Sequence, residues 1–211
     1  MMQQFDPIIA IGIANRDGIM RLIIGMSGAS GLIYGIRLLE VLKQHPEVET
    51  HLILSGSAKM NITLETEWSV ADVKALADHV HAYNDIAANI ASGSFRTDGM
   101  IIAPCSIKTV SGIANCYADN LMVRAADVVL KERRKLVLMP RETPLHTGHC
   151  RLFYELSQMG VILAPPVPAF YIKPKTIDDL VDHHVGRVLD LFDLDVGMVS
   201  RWQGPASQQT D

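Results

Sequence analysis

Five short stretches of this chain gather hydroxyls, cations and glycines at spacings that suit a phosphate-bearing ligand. In the first, the β-branched run Leu22–Gly25 leads into Ser27-Gly28-Ala29-Ser30-Gly31 and then an amphipathic pattern. That order is a strand, a tight turn and a helix N-terminus, which offers backbone N–H groups to an anion. Gly25, Gly28 and Gly31 let the backbone approach a ligand closely, and Ser27 and Ser30 can cap the helix or donate. The segment is neither a P-loop nor a clean GxGxxG, so a ligand-free turn explains it about as well. The other four stretches are Ser55-Gly56-Ser57, Pro104-Cys105-Ser106-Ile107-Lys108-Thr109, Pro140-Arg141-Glu142-Thr143-Pro144, and Pro165-Pro166-Val167-Pro168 leading to Phe170-Tyr171. Each alone is ordinary turn chemistry. Together they favour a phosphate-bearing ligand.

Glu142 directly follows an apolar strand and is the acid/base candidate, with pairing to Arg141 or Arg124 as the alternative. Arg124 and Lys131 are seven residues apart and share one helix face. Periodicity alone makes that a solvated face paired with Asp127 and Glu132. Cys105 reads as a small packing residue, and His146 with His149 as part of an ordered loop without a third metal ligand.

The elements that must hold these groups follow from the apolar pattern. Strand-like runs recur at Leu22–Gly25, Thr50–Ser55, Gly99–Ala103, Lys135–Met139 and Val161–Ala164. Helical patterns lie between them at Leu32–Gln44, Ser69–Ala77, Thr109–Ala118 with Met122–Glu132, and His149–Met159, with a last helix over Ile177–Leu194. The alternation predicts an α/β fold: a three-layer, doubly wound, Rossmann-like parallel sheet in a single domain. Ligands of such sheets sit at the carboxyl ends of the strands, so the five loops should share one rim.

Bulk composition narrows the class. With 48% hydrophobic and 20% charged residues the chain is globular, and a net charge of −4 argues against nucleic acid as a partner. Three cysteines without CxxC spacing indicate a reducing, cytoplasmic setting. Ile8–Ala14 is too short to span a bilayer and lacks a signal peptide's basic start, and no other run reaches spanning length. Residues 1–19 are expected to be a flexible extension, 20–205 the ligand-binding domain and 206–211 a polar tail.

The segments GMSGASGLIYG, SGSFRTDGMIIAPCSIKT, RAADVVLKERRKLVLMPRETPL, PPVPAFY and RWQG occur in collinear order over roughly residues 20–205. Together they resemble the UbiX/Pad1 flavin prenyltransferases, and TPLHTGH at 143–149 resembles the ubiquinone-pathway branch. The resemblance implies transfer of a dimethylallyl group from dimethylallyl monophosphate to N5 and C6 of reduced FMN. The prenylated FMN would serve a separate UbiD-type decarboxylase, in ubiquinone biosynthesis or aromatic acid decarboxylation. No metal is implied, and no DDxxD motif is present; Asp178-Asp179 sits at a helix start, where acids favour the dipole.

Position by position, the resemblance places Gly28, Ala29, Ser30, Ser55, Ser106, Ile107, Lys108, Thr109 and Arg141 around FMN. Ser55 departs from the family's Ser-Lys, being followed by Gly56, and a turn-capping role fits it equally. Arg124, Lys131, Tyr171 and Arg187 would hold the prenyl phosphate, although Arg187 could instead pair with Asp190. Glu142 would handle the proton at flavin C6, with Ser30 relaying protons to phosphate and Glu65 near the prenyl pocket. Tyr171 and Trp202 would offer π faces to an allylic cation, while Trp202 could equally just cover the core. The resemblance also implies a homododecamer of trimers with sites at subunit junctions. Two readings stay open beside it: an FMN-dependent decarboxylase of the cysteine-decarboxylase-like flavoproteins, and a non-catalytic FMN carrier.

Overall fold

The computed structural model describes residues 18–202 and Gly204. Most of the expected extension and the whole tail at 206–211 lie outside the described residues. Six parallel strands form one sheet: β1 (Met20–Met26), β2 (Val48–Leu54), β3 (His79–His81), β4 (Gly99–Cys105), β5 (Lys135–Pro140) and β6 (Ile162–Leu163). Their order is β3-β2-β1-β4-β5-β6. From β1 at the centre the chain winds outward through β2 and β3 and returns to the other side of β1. The switch of direction falls between β1 and β4, which is where a doubly wound sheet opens a crevice.

Seven helices connect the strands among the described residues: α1 (Leu32–Leu42), α2 (Gly56–Glu65), α3 (Val70–Ala75), α4 (Ile107–Ala114), α5 (Leu121–Lys131), α6 (Thr147–Gln158) and α7 (Ile177–Asp190). The central strands are buried on both sides, so they read as continuous apolar runs. In β1, Leu22, Ile24 and Met26 pack with α1, α2 and α7 on one face. Ile23 and its neighbours in β4 and β5 pack with α4, α5 and α6 on the other. Met26, Met100 and Met139 lie in this core, as their strand positions predict. None of the described helices is long and apolar enough to cross a membrane.

Two close approaches set the geometry at the switch. Gly35 in α1 lies so near β4 that a Cβ there would overlap the Ala103 carbonyl oxygen and crowd Met26. A Cβ on Gly28 would overlap Ser57, so the turn after β1 and the start of α2 touch. The structure adds two elements that the sequence pattern does not reveal, α2 and β3, and ends the last helix at Asp190 rather than Leu194.

Candidate functional site

The crevice is built around one hydroxyl. Ser27, at the end of β1, is buried; its Oγ donates to the Pro104 carbonyl at 3.1 Å and accepts from the Ser106 N–H at 2.7 Å. That pair of bonds ties the C-terminal ends of β1 and β4 together and fixes where α4 begins. Ser106 then caps α4, accepting from the Thr109 N–H at 3.4 Å, with the two hydroxyls 3.2 Å apart. At β5 the Arg141 N–H donates to the Cys105 carbonyl at 3.2 Å, which brings Arg141 and Glu142 to the same rim.

The N-terminus of α1 is closed differently. Gly31 occupies its cap position with φ +100 and supplies no side chain. Instead Glu65, from the last turn of α2, reaches across, and its Oε2 accepts from the Gly31 N–H at 2.8 Å and the Leu32 N–H at 3.4 Å. A carboxylate therefore already sits where α1 would attract an anion. The first turn of α4 has no such carboxylate, and exposed Lys108 adds a cation beside its N–H groups. The donor set at Ser106–Thr109 suits a phosphate monoester.

Burial pushes the Cys105 thiol far above its ordinary pKa, which makes it the packing residue that its apolar setting suggests and a poor nucleophile. Ser55 caps α2 through the Ala58 N–H at 3.0 Å, so its turn-capping role is realised while its backbone N–H bonds the Met26 carbonyl. His146 caps α6 through Nδ1, and its ring lies 3.7 Å from that of His149.

Comparison with known proteins decides what this rim belongs to. The Flavoprotein family profile matches residues 13–189. A flavin prenyltransferase UbiX from Thauera aromatica is 60% identical over 185 residues, covering 88% of this chain and 95% of its own. The chain belongs to the UbiX flavin prenyltransferases. Two solved structures agree with this. The first, AnUbiX (PadA1) in complex with FMN and dimethylallyl pyrophosphate, has 51% identity and a TM-score of 0.87, over 89% of this chain and 99% of that one. The second, a dodecameric FMN-dependent UbiX-like decarboxylase from Escherichia coli O157:H7, has 58% identity and a TM-score of 0.86, over 88% and 100%. FMN is the molecule that a flavin prenyltransferase modifies.

Within one subunit of this prenyltransferase, the residues expected to form the site fall into three groups. Gly28, Ala29, Ser30, Ser55, Glu65, Ser106, Ile107, Lys108, Thr109, Arg141 and Glu142 all lie at the C-terminal rim of the sheet. Glu142 is exposed and its Oε1 accepts the Thr143 N–H at 3.1 Å; none of the described ion pairs joins it to Arg141 or Arg124. Arg124 and Lys131 form a second group along α5. Arg124 pairs with Asp127 at 2.8 Å and donates to the Ala91 carbonyl; Lys131 pairs with Glu132. Lys131 precedes β5, so it stands at the opposite edge of the sheet from Glu142, roughly a strand length of about 20 Å away.

The third group lies on the other face. Tyr171 donates to or accepts from His183 Nε2 of α7 at 3.1 Å, and its ring meets Trp202 edge-on at 5.9 Å. Arg187 pairs with Asp190 at 2.9 Å. The α7 end sits at the sheet's N-terminal edge, because Lys135 Nζ donates to the Leu191 carbonyl. One subunit thus brings together the residues expected around FMN and leaves apart those expected around the prenyl phosphate. Sequence reasoning missed Asn61, whose Nδ2 donates to the Ala29 carbonyl at 3.5 Å, because α2 itself was not visible. It also missed the Glu49/His51/His79/His81 group, although Glu-Thr-His and His-Val-His alternate with strand periodicity.

A cavity of about 490 Å³ lies on the outer face of α4, lined by Lys108, Thr109, Gly112, Asn115, Tyr117 and Asn120. It shares two residues with the rim. The crevice between β1 and β4 is by contrast an open shelf, with Gly28, Lys108, Arg141 and Glu142 exposed.

Proposed function

We propose that the rim across β1, β4 and β5 holds reduced FMN, and that other copies of the chain complete the prenyl-donor pocket. The α4 N-terminus, with Ser106, Thr109 and Lys108, is assigned the FMN phosphate, and the turn Gly28-Ala29-Ser30 with Arg141 the ring system. Reduced FMN supplies nucleophilic N5 and C6. Arg124, Lys131 and Arg187 neutralise the donor's phosphate as its carbon–oxygen bond breaks, where fixed cations help most, and the Tyr171 hydroxyl donates a hydrogen bond to it. Glu142 takes the proton released at C6, and Ser30 passes a proton toward the departing phosphate. Glu65 keeps its place at the α1 N-terminus and orders the turn that carries Ser30. Tyr171 and Trp202 form an aromatic corner able to face developing allylic charge.

The donor is dimethylallyl monophosphate rather than the diphosphate, and the product is passed to a UbiD-type decarboxylase. The setting is the reducing cytoplasm, which suits the free thiols of Cys105, Cys116 and Cys150. A homododecamer fits the exposed apolar side chains on the α7 side: Val167, Phe170 and Ile177 are 66%, 73% and 77% exposed.

The observation that carries this reading is the Ser27 bridge, which sets an uncapped-by-carboxylate helix N-terminus beside Lys108 and Arg141. Anaerobic incubation with reduced FMN and dimethylallyl monophosphate tests it. A flavin heavier by one C5 unit, formed faster from the monophosphate than the diphosphate, is expected. Flavin retention without that product overturns the transfer reading.

A further inference from the structure

Away from the rim, the other end of the sheet carries a cluster that the prenyl transfer does not use. Glu49 and His51 are two apart on β2 and so face the same way, and His79 on β3 is the register partner of His51. His51 Nε2 lies 2.9 Å from Glu49 Oε1, and His79 Nε2 lies 3.6 Å from the same oxygen. One donor atom from each of the three residues falls within 4.8 Å of the others. Ligands at about 2.1 Å from a tetrahedral ion stand about 3.4 Å apart, so small side-chain adjustments enclose one. We propose that Glu49, His51 and His79 form a transition-metal site, most suited to Zn²⁺, that clasps edge strand β3 to β2.

The surroundings support more than proximity. His51 is 1% exposed, with the Phe95 ring edge-on at 5.3 Å, so its orientation is fixed by packing. Its Nδ1 is 2.9 Å from His81 Nε2. With an ion on Nε2, His51 must carry its proton on Nδ1 and donate it to His81. That is the usual outer-sphere bond that orients a metal-bound imidazole. A neutral His51 carries one ring proton, so ion binding moves it from Nε2, where it faces Glu49, to Nδ1, and His81 accepts it at Nε2 with its own proton on Nδ1. His79 is 54% exposed, which gives the ion a way in and leaves its remaining coordination to water. Two imidazoles and one carboxylate are a borderline donor set, which suits zinc, nickel or copper rather than magnesium or calcium.

Arg21 opposes the ion. Its Nε lies 3.2 Å from both Glu49 oxygens, so the ion must share that carboxylate with a guanidinium. The ion is accordingly held less tightly than it would be by an unshared carboxylate. A bound ion gives β3, a three-residue edge strand, a second attachment besides its ladder bonds.

Titration of the chelator-treated full chain with zinc chloride, followed by calorimetry and thermal melting, tests this. One ion per chain with a raised melting temperature is expected. His79→Ala, compared with its own metal-free melting temperature, should weaken zinc binding by at least about tenfold. Zinc should affect melting of a His146→Ala/His149→Ala variant as it does the wild type. No saturable binding up to millimolar zinc overturns the site. So does one-to-one binding that survives His79→Ala or disappears in the His146/His149 variant.

Discussion

Glu65 and Glu142 stand at the same rim with opposite commitments. Glu65 is held by two N–H groups at the start of α1, so its charge is engaged in closing a helix end. Among the described residues Glu142 accepts only the neighbouring Thr143 N–H and it stays exposed in the isolated chain, which leaves it available to a bound reactant. Replacing Glu142 by Gln keeps the size and the acceptor for Thr143 while removing the base. A Glu142→Gln variant should therefore bind FMN as the wild type does, by flavin fluorescence. Its prenylated-FMN formation should fall by about 100-fold or more, the usual contribution of a positioned proton acceptor. Undiminished turnover would take Glu142 out of the mechanism.

Among the elements, α7 responds to pH in a way that can be worked out. His183 and His184 both have pKa values lowered from 6.5, in each case chiefly by burial, with Arg187 also disfavouring charge on His183. His183 Nδ1 is buried without a hydrogen-bond partner among the described residues, so a proton there meets no acceptor in them. The unfolded chain binds protons at these positions more readily than the folded one. The stabilising effect of keeping them neutral is whole above pH 6.5 and is lost as pH falls below it toward the lowered folded values. The urea midpoint should thus be lower near pH 5.5 than near pH 7.5, and His184→Gln should flatten part of that slope. Equal midpoints at the two pH values would contradict the assignment.

The same scale explains what could be read from the sequence. Strands β1, β4 and β5 and helices α1 and α5 announce themselves because their burial is complete or strictly one-sided. Helix α2 does not: only Ala58 and Ile62 are buried in it, so no apolar stripe marks it, and its Ser55 cap looks like a loop residue. Strand β3 is three residues long with two exposed positions, and two of its residues are histidines. Its place in the sheet comes from pairing with β2, which is a tertiary fact. The rim residues were legible because they follow strong strands. The Glu65 cap was not, since it joins residues 34 apart through an element without a pattern.

At the scale of the whole molecule, the separation within one subunit becomes the main prediction. Lys131 lies on the α5 face at one edge of the sheet, Arg187 on the α7 face, and Glu142 at the opposite edge. A site that needs all three draws on at least two copies of the chain. Mixing then distinguishes a shared site from a self-contained one. Lys131→Ala and Glu142→Gln should each be nearly inactive alone, and each leaves the other's residue intact. If the site lies at a junction, co-expressed subunits in equal amounts should form some junctions with wild-type Lys131 from one copy and wild-type Glu142 from another. Random assembly makes about a quarter of junctions complete, and activity should recover to about that share of wild type. A self-contained site gives no recovery at any mixing ratio, because every copy carries one defect. Prenylated-FMN yield from tagged, co-purified mixtures measures the difference, and absence of recovery in verified mixed oligomers would rule out the shared pocket.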